Sequence, residues 1–141
     1  MTESLVIRKV GPGDEALFSR IADDVFDEPV DPTRLEAYLA EPGHHMLLAM
    51  IGDLVVGQVA AVIHRHPDKP TELYIDEVGV APAHQRQGIG RLMMEAIFAL
   101  GREHGCEEAW LGTEHDNIAA RALYDRHCVK AEQFVMYLWE L

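Results

Sequence analysis

Six residues, Gln85-Arg86-Gln87-Gly88-Ile89-Gly90, have the make-up of an anion grip. They follow the strand-like stretch Leu73-Tyr74-Ile75-Asp76-Glu77-Val78-Gly79-Val80 and open an apolar pattern with helical spacing. Two glycines at such a junction let backbone N–H groups crowd together at a helix N-terminus. The first N–H groups of a helix lack intrahelical acceptors, and the helix dipole adds positive charge there, so the turn suits phosphate. The Walker pattern fails, because no Lys-Ser or Lys-Thr follows Gly88 or Gly90. The dinucleotide fingerprint fails as well, with Met93 where a third glycine is needed. The turn implies a pyrophosphate-bearing ligand.

A second concentration of chemistry is acidic. Asp23, Asp24, Asp27, Glu28, Asp31 and Glu36 lie close together with only Arg34 among them. The whole chain carries 24 acidic against 12 basic residues, a formal charge of −12. Nucleic-acid binding needs clustered Lys and Arg, so no nucleic-acid partner is expected. An acidic cleft does concentrate cations, and a cationic small-molecule amine fits. His64-x-His66 has the spacing of a metal pair, but the sequence offers no evident third ligand. It is read as a polar strand end, and no metal site is expected. Cys106 and Cys128 are too few and too isolated for a disulfide framework.

The elements that must position these groups follow from periodicity. Ser4–Val10 reads as a strand ended by Gly11-Pro12-Gly13. Leu17, Ile21, Ala22 and Val25 give helical spacing over Asp14–Val25. Asp31 caps a short second helix that starts at Pro32 and ends at Glu41-Pro42-Gly43. His45–Ile51 and Leu54–His64 flank Gly52-Asp53 as a hairpin. Glu72–Val80 is the next strand. Ile89, Leu92, Met93, Ala96, Ile97 and Leu100 form the core stripe of a helix ending near His104-Gly105. Ala109–Gly112 is a short strand, Asn117–His127 a helix capped by Asn117, and Glu132–Leu141 a final apolar strand. The order βααβββαβαβ predicts one α/β (α+β) domain over residues 1–141, with helices on both faces of a sheet. No apolar run approaches the ~20 residues of a membrane span, and Met1–Arg8 does not have the form of a signal peptide, so a cytoplasmic protein is expected.

Gln85-x-x-Gly-x-Gly resembles motif A of the GCN5-related N-acetyltransferases (GNAT), and Asn117-Ile118-Ala119-Ala120-Arg121-Ala122-Leu123-Tyr124 resembles that family's Asn-x-x-Ala-x-x-Leu-Tyr helix. The resemblance covers the element order from Ser4 to Leu141. It implies a mixed sheet of six to seven strands flanked by about four helices, with acetyl-CoA as co-substrate. By position, it implies that the backbone of Gln85, Arg86, Gln87, Gly88, Ile89, Gly90 and Arg91 holds the CoA pyrophosphate. Val78 and Val80 would pair with the pantetheine arm, and Gly79 would accommodate a strand bulge that aims a donor at the thioester oxygen. Asn117 and Ala120 would contact the cofactor, with Tyr124 beside its sulfur. Where the family usually has Gly-Phe after this helix, Cys128-Val129 stands.

Within the family the chain is similar to the gentamicin-type aminoglycoside 3-N-acetyltransferases, through Tyr74–Val80, Gln85–Ile89 and Phe134–Trp139. That likeness implies an antibiotic-resistance activity on an aminoglycoside. Other amines, namely a polyamine, an amino acid, or a protein Nα or lysine, and a non-catalytic acyl-CoA sensor are the alternative readings. Acetyl transfer needs a base for an amine whose usual pKa is ~10 and an acid for the leaving thiolate. Tyr124 is the candidate acid and Glu77 the candidate base. On a regular strand Glu77 and Gly79 share one face, and Asp76 and Val78 the other. Asp76 is the alternative base if a bulge reverses that facing, and His115 is a third candidate. Asp24, Asp27, Glu28, Asp76, Glu77 and His115 are the expected acceptor-binding residues. A homodimer, to which Phe134–Trp139 would contribute, is an expectation from the family.

Overall fold

Five strands make one sheet in chain order: β1 (Leu5–Val10), β2 (His44–Ile51), β3 (Leu54–His64), β4 (Glu72–Val80) and β5 (Glu108–Trp110). The computed structural model describes residues 3–141. β1 to β4 pair antiparallel, and β5 joins β4 in parallel through Glu72–Tyr74. A parallel neighbour needs a long crossover. Helix α2 (Ile89–Glu103) supplies it and packs on β2, β3 and β4.

Both faces of the central strands are covered, which is why β2 and β3 read as continuous apolar runs and not as alternating ones. Met46, Leu48 and Met50 of β2 pack with Phe18, Val25 and Leu39 on one side of the sheet. Met93, Met94, Ile97 and Leu100 form the buried stripe of α2. Helix α1 (Pro32–Ala40) begins as its sequence requires: the Asp31 carboxylate accepts from the Arg34 N–H at 2.9 Å and Pro32 occupies the first turn.

The expected helix over Asp14–Val25 forms only a 3₁₀ turn, Glu15–Phe18. Beyond it the chain straightens and Ile21 bridges to Val55, with Ala22 N–H donating to the Val55 carbonyl and Val55 N–H to that of Arg20. β4 pairs with β3 only as far as Gly57, so the start of β3 has an open edge. Satisfying that edge overrides the helical spacing, and Leu17, Ile21 and Val25 still reach the core.

The chain divides into two compact units, the first running to Leu111 and the second spanning Gly112–Leu141. In the second unit helix α3 (Ile118–Tyr124) is capped by Asn117, whose Oδ1 accepts from Ala120 N–H at 3.2 Å. The helix stops at Tyr124 and not at His127, which takes a left-handed φ of 65°. The left-handed position thus falls one residue before Cys128. Glu132–Leu141 is not a strand: a strand exists by pairing, and this unit holds no other strand to pair with. Among the described residues the sheet therefore has five strands, with three α-helices, against the expected six to seven and four.

Candidate active site

The turn after β4 has the backbone of an anion cradle. A 3₁₀ turn (Pro82–His84) leads to Gln85, Arg86 has φ of 65°, and Gly88 caps α2 at φ of 80°. Positive φ at two positions bends the chain so that successive N–H groups converge ahead of the helix. No side chain caps α2 and no acid lies in its first turn, while Arg91 adds a cation. Gln85 to Gly88 are exposed, and a Cβ on Gly88 would meet nothing within 4 Å. Unshielded N–H donors opening on free space fit a diphosphate. Gln85 itself works differently: its amide donates to the Val80 carbonyl at 3.2 Å, tying the turn to the strand end.

Strand β4 has one edge on β3 throughout, but β5 pairs with its other edge only at Glu72–Tyr74. From Ile75 to Val80 that second edge has no ladder to β5. This is the opening in which an extended arm can add as a strand against Val78 and Val80.

The irregularity in β4 lies at Asp76, not at Gly79. Ile75 faces Ala61 and Glu77 faces Ala60, so Asp76 is the extra residue of a bulge. Strict alternation of Asp76 and Glu77 is lost there, and the charge of Asp76 acts on Glu77. Burial raises the Glu77 carboxyl above the ordinary carboxylate range, and the negative charges of Asp27 and Asp76 raise it further. Burial also raises Asp76, against the opposing pull of a backbone hydrogen bond and of His44. Gly79 is needed for another reason: a Cβ there would stand 2.2 Å from the Val25 carbonyl oxygen. That carbonyl also accepts from the buried Gln58 amide at 3.3 Å.

Two members of this cluster were missed from sequence. Tyr38 of α1 has its phenol raised by burial and then by Asp76 and Glu77, and its hydroxyl donates to the His45 carbonyl at 3.4 Å. The His44 ring packs edge-on to Tyr38, with centroids 5.5 Å apart. Neither belongs to a motif. The signal available was only that Tyr38, one turn from Leu35 and beside Leu39, lies on the buried face of a short helix. Of the acidic segment, Asp27 joins the cluster. Asp24 and Glu28 are exposed on the same segment, and no contact among the described residues ties them to Glu77.

In the second unit, Tyr124 ends α3 half-buried, and burial holds its phenol above its ordinary value. Asn117 spends its carbonyl oxygen on the helix cap, which leaves its NH₂ to donate. His115 Nδ1 lies 3.3 Å from the Arg121 guanidinium and 3.3 Å from the Gln133 amide nitrogen. A guanidinium only donates, so that nitrogen is engaged as an acceptor. Cys128 is exposed.

Residues 15–128 match the model of the acetyltransferase (GNAT) family. The N-alpha-acetyltransferase RimI of Mycobacterium tuberculosis is 30% identical over 125 residues, covering 87% of this chain and 77% of that protein. Rat N-acetyltransferase 8B is 28% identical over 90 residues, which is 63% of this chain but only 40% of that longer relative. In fold, the chain is similar to an aminoglycoside acetyltransferase from an uncultured soil metagenomic sample solved in complex with sisomicin. The TM-score is 0.79 at 23% identity, covering 97% of this chain and 96% of that one. Acetyl-CoA is the co-substrate of GNAT acetyltransferases, and the cradle ahead of α2 fits its diphosphate. The chain belongs to the GNAT family of acetyltransferases.

Proposed function

We propose that the chain acts as a single acetyltransferase domain that acetylates a primary amine of a small polycation, an aminoglycoside being the best-matched class. The observation that carries this is the set of three carboxylates, Asp27, Asp76 and Glu77, gathered at the bulge of β4. One ammonium needs one counter-charge; three carboxylates beside an open strand edge suit several. The fold likeness to aminoglycoside acetyltransferases agrees with this reading.

When bound, acetyl-CoA supplies an activated acetyl group. The N–H groups from Arg86 to Arg91 hold the diphosphate, and the free edge at Val78 and Val80 orients the arm. By the family motif, Asn117 and Ala120 are further candidate contacts for acetyl-CoA. Glu77 takes the proton of the ammonium, directly or through water. Its raised pKa makes it a stronger base than an ordinary carboxylate, which narrows the gap to an amine of pKa ~10. Tyr124, protonated because its phenol is raised, gives a proton to the departing thiolate. Transfer is direct, with no acyl group passing through Cys128.

The RimI relative favours a second reading, a peptide Nα-amine as acceptor. Release of CoA thiol measured with aminoglycosides, polyamines and N-terminal peptides separates the two. Turnover of peptides alone overturns the polycation reading, and acetyl-CoA binding without turnover on any amine makes the chain an acyl-CoA sensor.

A further inference from the structure

At the far end of the β3–β4 hairpin from the carboxylate cluster, the fold supplies what His64-x-His66 lacks in sequence. Glu72 pairs directly with His64 across the ladder. Opposed residues of an antiparallel pair project from the same face, and residues two apart along an extended chain do so too. The His64 and His66 rings lie side by side, with centroids 4.2 Å apart. Arg65, between them, acts with its charge on the Cys106 thiol. His66 Nε2 is in contact with Glu72 Oε1. One ligand atom from each of His64, His66 and Glu72 lies within 4.8 Å of the others.

We propose that His64, His66 and Glu72 form a binding site for a divalent transition metal, with zinc the best match. Two imidazoles and a carboxylate are a borderline donor set, suited to zinc and its first-row neighbours and poorly to calcium or magnesium. The ligand atoms lie close enough that small side-chain rotations bring them to coordination distance. The His66 and Glu72 side chains are only 14% and 24% exposed, so two ligands are held by their surroundings. His64 is exposed and leaves the outer coordination positions to water. Metal binding takes the place of the His66–Glu72 contact. Glu72 precedes Asp76 by four residues, roughly 13 Å along the strand, so this site is separate from the acetyl-transfer chemistry. Its effect is to clip the turn that joins β3 to β4.

Calorimetric titration of the tag-free chain with zinc chloride tests this, alongside cobalt(II) absorption and thermal melting with and without EDTA. The expected result is saturable uptake of one zinc per chain, a melting temperature raised by zinc and restored by EDTA, and a weak visible cobalt spectrum. His64→Gln and His66→Gln should each weaken binding roughly tenfold or more. His64→Gln is a surface change, and so keeps the test informative should the His66 variant fold poorly. Absence of saturable uptake at micromolar metal overturns the proposal. So does uptake that survives both histidine substitutions, or a thiolate-to-cobalt charge-transfer band that places the metal on Cys106.

Discussion

The turn before α2 and the bulge of β4 are neighbours in sequence, separated by fewer than ten residues, yet they are built on different physics. The turn is a backbone device: left-handed φ at Arg86 and Gly88, and N–H groups freed by the start of a helix. The bulge gathers side chains from distant segments, with Asp27 and Tyr38 converging on Asp76 and Glu77. A backbone site is indifferent to most side-chain changes and sensitive to φ. A site of gathered carboxylates is the reverse, and the charges of Asp27 and Asp76 raise the proton affinity of Glu77. The first is suited to a donor common to a family, the second to an acceptor that differs between members.

The contrast breaks most visibly at Glu77. Glu77→Gln should lower kcat/KM by about 10²–10⁴-fold if the carboxylate is the base, while acetyl-CoA affinity stays the same; steady-state kinetics with both substrates varied checks this. The same variant should melt higher than wild type at neutral pH. Glu77 binds its proton more tightly in the folded than in the unfolded chain. Wild-type stability is therefore full below the unfolded pKa and falls as pH rises through the folded one. Glutamine has no such loss, so the advantage should vanish in acid, as melting curves across pH would show.

Gly79→Ala comes next. Its methyl would collide with a backbone carbonyl at 2.2 Å, and a chemical denaturation series should register a loss of about 1–3 kcal/mol or more. Gly88→Val tests the turn. Nothing crowds a Cβ there, so its cost is the left-handed backbone, about 1–2 kcal/mol. The KM for acetyl-CoA should rise severalfold with acceptor KM unchanged; equal changes in both would dissolve the division between the two regions. The smallest effect is expected from Asp27→Asn. Removing a like charge lowers the Glu77 pKa, although burial, the larger cause, persists. The acid limb of the kcat/KM profile should shift to lower pH, and acceptor KM should rise and lose some salt dependence.

The same contrast explains what was legible in the sequence. Gln85–Gly90 and Asn117–Tyr124 could be read directly because each is a local device, a turn or a cap whose chemistry lies within a few residues. Asp31, Pro32 and the strands Leu54–His64 and Glu72–Val80 were legible for the same reason. The Asp14–Val25 segment was not, because its spacing is helical while its backbone answers to an open edge of β3 more than thirty residues away. Nor could the bulge at Asp76 be seen, since a bulge is a property of two strands and their register. Gly79 was noticed but for the wrong reason; its neighbour is the Val25 carbonyl, which no local pattern announces. Glu132–Leu141 has strand composition without a strand to join.

The double hold on Val25, by the bare backbone of Gly79 and the amide of Gln58, has a consequence for how such a protein diversifies. The segment that carries Asp27 is pegged two residues upstream, at Val25. Phe26 and Val30 still pack on the core, so the exchangeable cassette between that point and the cap at Asp31 is residues 27–29. A library varied at residues 27–29, with Val25, Phe26, Val30, Gln58, Gly79 and Asp31 left alone, would sample new acceptors on an undisturbed donor site. Varying the peg would forfeit both.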